Sequence, residues 1–412
     1  MSVTDPVIST GKLRRVLNLP LATLYGLGTI VGAGIYVLVG EVVVQAGEYA
    51  PVAFLVAGVI AGFTACSYAE LCARFPASAG EAVYVQQGFQ TRVLSTLVGL
   101  GVVFIGLVSA ATIAHGFVGY LQVLLPIPRA PTMVGLILVL GAVAVWGIRE
   151  SVWVAASVTV LEIGGLLLVI GVVIGSPEAE MAQTVQLLPP LELDLWPAIL
   201  ASAVLAFYAF IGFEDMVNVA EEVKEPSRTL PRAIILALVI SLTLYLAVVV
   251  VVAKTVPPAT LREAQAPLAQ VWVQVTGRSP LLITGLSLLA VVNGALIQMI
   301  MASRVLYGMG SRGWLPTTLG VVHPRTRTPL RSTLLVVSAV VLFALGLPLV
   351  TLAQLTSVLT LAVFSMIHLS LWRIKRDQPC LPEIVCYPRW VPAMGALSCL
   401  ALMTVQLLDW LH

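Results

Sequence analysis

Leu27-Gly28-Thr29-Ile30-Val31-Gly32-Ala33-Gly34-Ile35-Tyr36 lies inside the first long apolar run of the chain. Leu205-Ala206-Phe207-Tyr208-Ala209-Phe210-Ile211-Gly212-Phe213-Glu214-Asp215 lies inside the sixth. Each run is interrupted by glycine, and the breaks are expected at Gly32-Ala33-Gly34 and at Phe210-Ile211-Gly212-Phe213. Three glycines in seven residues of the first run weaken a helix by roughly 1 kcal/mol each relative to alanine. In a bilayer, broken helices at matching places mark a solute site at mid-membrane. One alternative stands beside this for the first run, namely that Gly28 and Gly32 form a small-residue packing face.

The surrounding composition supports a bilayer setting. Apolar residues make up 59% of the 412, charged residues 10%, and the mean hydropathy is +1.01. The apolar runs exceed the roughly 18 residues that cross hydrocarbon. Spans are expected at about 19–45, 51–74, 93–125, 131–148, 152–175, 196–221, 231–254, 279–309, 330–348, 351–374 and 391–410. Lipid offers the backbone no partners, so each must be a helix, and continuous rather than alternating apolar runs exclude a β-barrel. The expected class is therefore an all-α polytopic membrane protein with about 11 transmembrane helices. The polar first 18 residues lack the features of a cleaved signal peptide, so none is expected.

Of the 22 Lys and Arg residues, only Arg129, Lys254, Arg262 and Arg278 fall on one side of this topology; the other eighteen share the opposite side. By the positive-inside rule that side, with the N-terminus, is cytoplasmic. The net charge of +2 reflects topology rather than nucleic-acid binding. Short loops point to a prokaryotic inner, or cell, membrane. Neither the five cysteines nor the four histidines show metal-ligand spacing, so they are expected to be thiols and core or loop histidines. No metal, cofactor or enzymatic motif is found.

The breaks, near the starts of the first and sixth spans, suggest a duplication. The chain divides into a tail at 1–18, a five-span unit at 19–175, a second at 196–374, and a linker with an extra span at 375–412. Five is odd, so the second unit is inverted relative to the first. An unwound stretch leaves amides at the start of the following half-helix, which suit a carboxylate, and carbonyls on the preceding half, which suit an ammonium. One such helix reads both ends of an α-amino acid. Glu214 is a candidate because an intramembrane acid is costly unless paired, protonated or wet. Asp215 could lie nearer an aqueous vestibule.

Gly28 to Ile35 resembles the first-helix signature of the amino acid–polyamine–organocation (APC) transporters. Phe210 to Glu214, with Ala220 to Ile234 after it, resembles the sixth-helix signature and its loop; Ala302 to Pro316 resembles the end of the eighth helix. The resemblance implies a LeuT-type 5+5 inverted repeat with broken helices 1 and 6, and alternating access. It implies α-carboxylate contacts on the amides of Ala33 and Gly34 beside Gly32, and α-amino contacts on the carbonyls of Ile30, Tyr208 and Ile211 beside Gly212. The Tyr208 ring is the implied occluding aromatic and Glu214 a gating acid. Where members with proton coupling carry a lysine in the fifth helix, this chain has Glu162, which is expected to carry the proton itself because hydrocarbon disfavours a bare carboxylate.

The acidic and basic loop 221–232 is expected either to form a cytoplasmic gate of ion pairs or to be a solvated connector. Ser109, Thr112, Asn293 and Gln298 are possible pocket liners, and the aromatic sixth-helix break suggests neutral or hydrophobic solutes. The expected function is secondary transport of amino acids, coupled to protons or run as exchange. A polyamine or organic-cation carrier is the alternative, and a channel or a non-transporting sensor stands further off.

Overall fold

The computed structural model describes residues 15, 17–76, 80–146, 152–176, 194–323, 326, 328–378 and 384–411. Its helices are α1 (Leu19–Ile30), α2 (Ala33–Ala46), α3 (Ala50–Arg74), α4 (Gly80–Phe89), α5 (Arg92–Leu124), α6 (Arg129–Trp146), α7 (Val152–Ile174) and α8 (Trp196–Tyr208). A 3-10 helix, Phe213–Glu222, follows. Then come α9 (Pro226–Thr255), α10 (Pro258–Glu263), α11 (Pro267–Thr276), α12 (Leu281–Ser311), α13 (Leu330–Gly346), α14 (Leu349–Asp377) and α15 (Trp390–Asp409).

Among the described residues, nine helical stretches are long and apolar enough to cross a membrane. One, Gly34–Arg74, is 41 residues long, about twice what a bilayer needs at 1.5 Å per residue. It turns back at Gly47–Tyr49, where Gly47 has φ +56°. Its first half, α2, continues the short α1 as a single broken span, and α13 is a further short apolar helix. Counted this way, the eleven expected spans are present. The helices α4, α10 and α11 occupy stretches that the sequence leaves as connections; at 10, 6 and 10 residues they are too short to cross.

The centre is built by α5 against α12, α3 against α9, α1 against α9, and α2 against α8. Side chains such as Leu138, Leu167, Leu342 and Leu397 face outward from the peripheral helices, as lipid contact requires. His368 is a core histidine, with Nε2 at 3.1 Å from Thr64 Oγ1 and Nδ1 at 2.9 Å from Ser67 Oγ. Cys66, Cys72 and Cys399 are free thiols, whereas Cys386 is disulfide-bonded, which its spacing does not signal.

Candidate functional site at the paired helix breaks

The first break falls at Val31–Gly32, one residue earlier than expected, because Ala33 and Gly34 already belong to the first turn of α2. The Val31 amide closes α1 by donating to Leu27 O at 2.6 Å. Gly32 offers no side-chain cap, so the amides of Ala33, Gly34 and Ile35 have no acceptor within the helix. The two glycines of the packing alternative part company here. A Cβ on Gly28 would sit 2.2 Å from Thr159 Oγ1 of α7, so Gly28 is a packing glycine. One on Gly32 would meet nothing within 4 Å.

The second break runs from Ala209 to Gly212. Ala209, Phe210 and Ile211 donate to Ala206, Phe207 and Tyr208 carbonyls at 3.1, 3.0 and 3.2 Å, tightening the end of α8 into 3-10 geometry. Gly212 then takes φ +130°, which an L side chain rarely adopts. Its amide donates to Glu214 Oε2 at 2.8 Å, and Asp215 N donates to Gly212 O at 3.1 Å. Glu214 thus caps the restarted helix.

The breaks touch through backbone alone. A Cβ on Gly34 would lie 2.4 Å from Ala209 Cα, and one on Gly212 would lie 2.2 Å from Thr29 O. Between them is a cavity of about 30 Å³, lined by Gly28, Thr29, Ile30, Gly32 and Gly34, by Tyr208, Ile211 and Asp215, and by Ser109, Ile113, Gly294, Ile297 and Gln298. That is room for a water or two and less than any amino acid occupies.

Tyr208 OH and Ser109 Oγ are 2.9 Å apart, tying α8 to α5 across the cavity. Wider vestibules lie beyond it. One, of about 310 Å³, is lined by Glu81, Glu222, Arg304 and Arg312 among others; another, of about 420 Å³, is lined by Glu41, His115, Arg129 and Arg262 among others.

Comparison with known proteins gives this geometry a family. The amino acid permease family model matches residues 17–408. The chain belongs to that family. An uncharacterized transporter of Mycobacterium tuberculosis is 34% identical over 341 residues, 82% of this chain and 75% of its own length. The branched-chain amino acid permease BcaP of Bacillus subtilis is 27% identical, with 100% of this chain and 94% of its own length covered. A vacuolar cationic amino acid transporter of Arabidopsis thaliana is 31% identical over 83% of this chain and 60% of its own length. Amino acid permeases belong to the APC superfamily, so the resemblance in the motifs holds across the chain.

In this permease the remaining sequence expectations fall unevenly. Ile30, Gly32, Gly34, Tyr208 and Ile211 come together around the cavity, while Gly212 sits behind it against Thr29. Two of the carbonyls assigned to an α-amino group already accept once: Ile30 O from Tyr245 OH at 2.8 Å, and Tyr208 O from Ile211 N. Of the sixth-helix aromatics that suggest an apolar pocket, Tyr208 lines the cavity and the phenylalanines do not. Phe207, Phe210 and Phe213 are fully buried among Phe54, Tyr68, Tyr245 and Phe364. Of the possible liners, Ser109 and Gln298 reach the cavity, whereas Thr112 Oγ1 bonds back to Val108 O and Asn293 lies beside Glu162.

Glu162 does not line the cavity. It is one turn along α7 from Thr159, its backbone carbonyl accepts from Tyr36 OH at 2.6 Å, and its buried carboxylate has the Asn293 side chain beside it. The ion-pair gate expected in 221–232 does not form among the described residues. That loop is held instead by a two-bond clasp, Leu17 N to Glu222 O at 3.0 Å and Lys224 N to Leu17 O at 2.8 Å. The clasp joins the segments entering α1 and leaving the second break.

The strongest ion pairs are elsewhere, and the sequence reading misses them. Glu70, fully buried on α3, accepts from Arg74 Nη2 at 2.9 Å, Lys375 Nζ at 2.6 Å and Tyr387 N at 2.9 Å. Only the Glu70–Arg74 spacing of four residues is visible in the chain; Lys375 lies on α14, 305 residues on.

Proposed function

We propose that this permease holds the amino acid between the two breaks and carries it by alternating access. The observation that carries the reading is the backbone-to-backbone packing of the breaks around a common cavity, with uncapped amides on one side and carbonyls on the other. The α-carboxylate docks on the amides of Ala33 and Gly34 at the positive end of α2, with Gly32 leaving room for it. The α-ammonium is read by the carbonyl of Ile211 and by the second lone pairs of Ile30 and Tyr208. The Tyr208 ring closes over the solute, and Gly212 lets the two backbones meet.

A cavity of about 30 Å³ is a closed state, so loading requires the breaks to part toward one vestibule at a time. The Leu17–Val223 clasp is positioned to open on one side, and the Tyr208–Ser109 contact to release the solute. We further propose two inverted five-span units at 19–175 and 196–374, an N-terminus in the cytoplasm and residence in the cell membrane, in keeping with the lysine and arginine asymmetry.

For coupling, Glu162 is the proposed proton carrier, since its carboxylate is buried in the wall behind α1 with no ion-pair partner among the described residues. Glu214 moves with the break it caps. Glu162→Gln tests the first assignment: uptake that keeps its dependence on an inward proton gradient in that variant removes Glu162 from the mechanism.

The whole reading is tested in proteoliposomes with radiolabelled amino acids, with and without a proton gradient, sodium or internal solute. Saturable uptake whose KM rises in Gly32→Ala, a methyl that meets nothing within 4 Å, is the expected result. Binding without flux under every gradient would instead make the protein a sensor.

A further inference from the structure

We propose that Asp215 sets the charge preference of the cavity, its carboxylate pairing with a cation on the side chain of the solute, so that the preferred amino acid is a basic one. The inference rests on the amino acid reading above and adds the side-chain class to it. Asp215 lines the cavity, is only 4% exposed, and has its Oδ2 buried without a hydrogen-bond partner. Its neighbour in sequence differs in that respect. Glu214 does not line the cavity, and its Oε2 is engaged by the Gly212 amide.

No lysine or arginine lines the cavity among the described residues, and the charged groups acting on Asp215 are the carboxylates of Glu214 and Glu81. This end of the site therefore gathers carboxyl groups with no basic side chain among its lining residues. The backbone of the two breaks already offers complements to both charges of an α-amino acid. Asp215 is an additional acid, which a zwitterion with a neutral side chain leaves unpaired and a lysine-like or arginine-like side chain satisfies. Ser109 and Gln298 add neutral oxygen acceptors for the remaining N–H groups of such a head. The phenylalanine rings of the sixth-helix break are in the core, so Ile30, Ile113, Ile211 and Ile297 would pack the aliphatic stem of such a side chain while Asp215 meets its charged head.

The test uses purified full-length protein in proteoliposomes, with labelled lysine and leucine and competition by arginine, ornithine and norleucine, the last a neutral counterpart of lysine. Wild type is expected to take up lysine and to be inhibited by arginine and ornithine far better than by norleucine. Asp215→Asn is expected to lose lysine kcat/KM by at least about thirtyfold while keeping or gaining leucine uptake, and Asp215→Glu to recover part of the lysine activity. The proposal is overturned if wild type prefers leucine and norleucine over the cations, a result that leaves the permease reading intact and does not depend on any variant folding. It is also overturned if Asp215→Asn, shown folded by scanning fluorimetry, loses lysine and leucine alike, since the carboxylate would then read the α-ammonium. Absence of uptake for every amino acid overturns the permease reading and this inference together.

Discussion

The two breaks do the same job by different means. The first is made of backbone alone: Gly32 opens onto empty space, no side chain caps α2, and its first amides are free for the solute of the proposed mechanism. The second is furnished with side chains, since Glu214 caps Gly212, Tyr208 reaches across to Ser109, and Asp215 faces the cavity. A backbone site reads what all α-amino acids share and cannot be tuned by substitution except through glycine. A side-chain site can be changed one group at a time. On the proposed reading, the backbone of both breaks recognises the common ends, while discrimination and gating belong to the side chains of the second.

The largest expected effects separate packing glycines from the cavity glycine. Gly212→Ala must place a methyl 2.2 Å from Thr29 O at a φ of +130°, and Gly34→Ala must place one 2.4 Å from Ala209 Cα. Both obstacles are backbone, so neither can step aside, and each variant should lose about 3 kcal/mol or more of stability. Gly32→Ala meets nothing within 4 Å and should melt within about 0.5 kcal/mol of wild type while raising KM. Scanning fluorimetry on the three proteins decides it. A Gly32→Ala variant as unstable as Gly212→Ala would break the distinction between contact and cavity.

A smaller effect isolates the cap. Glu214→Ala removes the only side-chain acceptor that the Gly212 amide has among the described residues and should cost about 1–2 kcal/mol, whereas Glu214→Gln keeps an acceptor oxygen and should cost less. If Glu214→Gln retains stability but loses uptake, the acid has a gating role beyond capping. If both variants transport normally, the second break reduces to a structural turn.

How much of this was legible in the chain depends on sequence distance. The spans and both breaks could be read because hydrophobic length and glycine spacing are local signals. Gly32 and Gly212 stand out from their own neighbours. What Gly28 packs on could not be read, since Thr159 lies on another helix and the same glycine spacing fits either a break or a packing face.

Which of Glu214 and Asp215 lines the cavity could not be read for a related reason. Adjacent residues on a 3-10 turn point in different directions, and the sequence does not say which one meets the cavity. The gate expected in 221–232 rested on charge content, but those charges make no ion pair among the described residues, and the partners that do pair, Glu70 and Lys375, are 305 positions apart.

The smallest expected effect concerns Glu81, on α4 outside the spans, which acts electrostatically on Glu214 and Asp215 and so on the second break only. Burial raises its carboxyl above the usual 4.5, opposed by hydrogen bonds that include the Tyr68 hydroxyl at 3.1 Å. A carboxyl raised by folding keeps its proton in the folded protein after the unfolded chain has lost it. Stability is therefore greatest at low pH and declines as pH climbs from about 4.5 through the raised value. Glu81→Gln cannot ionise but still accepts from Tyr68, so its melting temperature should be nearly flat over that range. Wild type should fall relative to it as pH rises through that range. Parallel melting curves between pH 4.5 and 8 would mean that folding leaves the Glu81 carboxyl unshifted, its hydrogen bonds offsetting its burial.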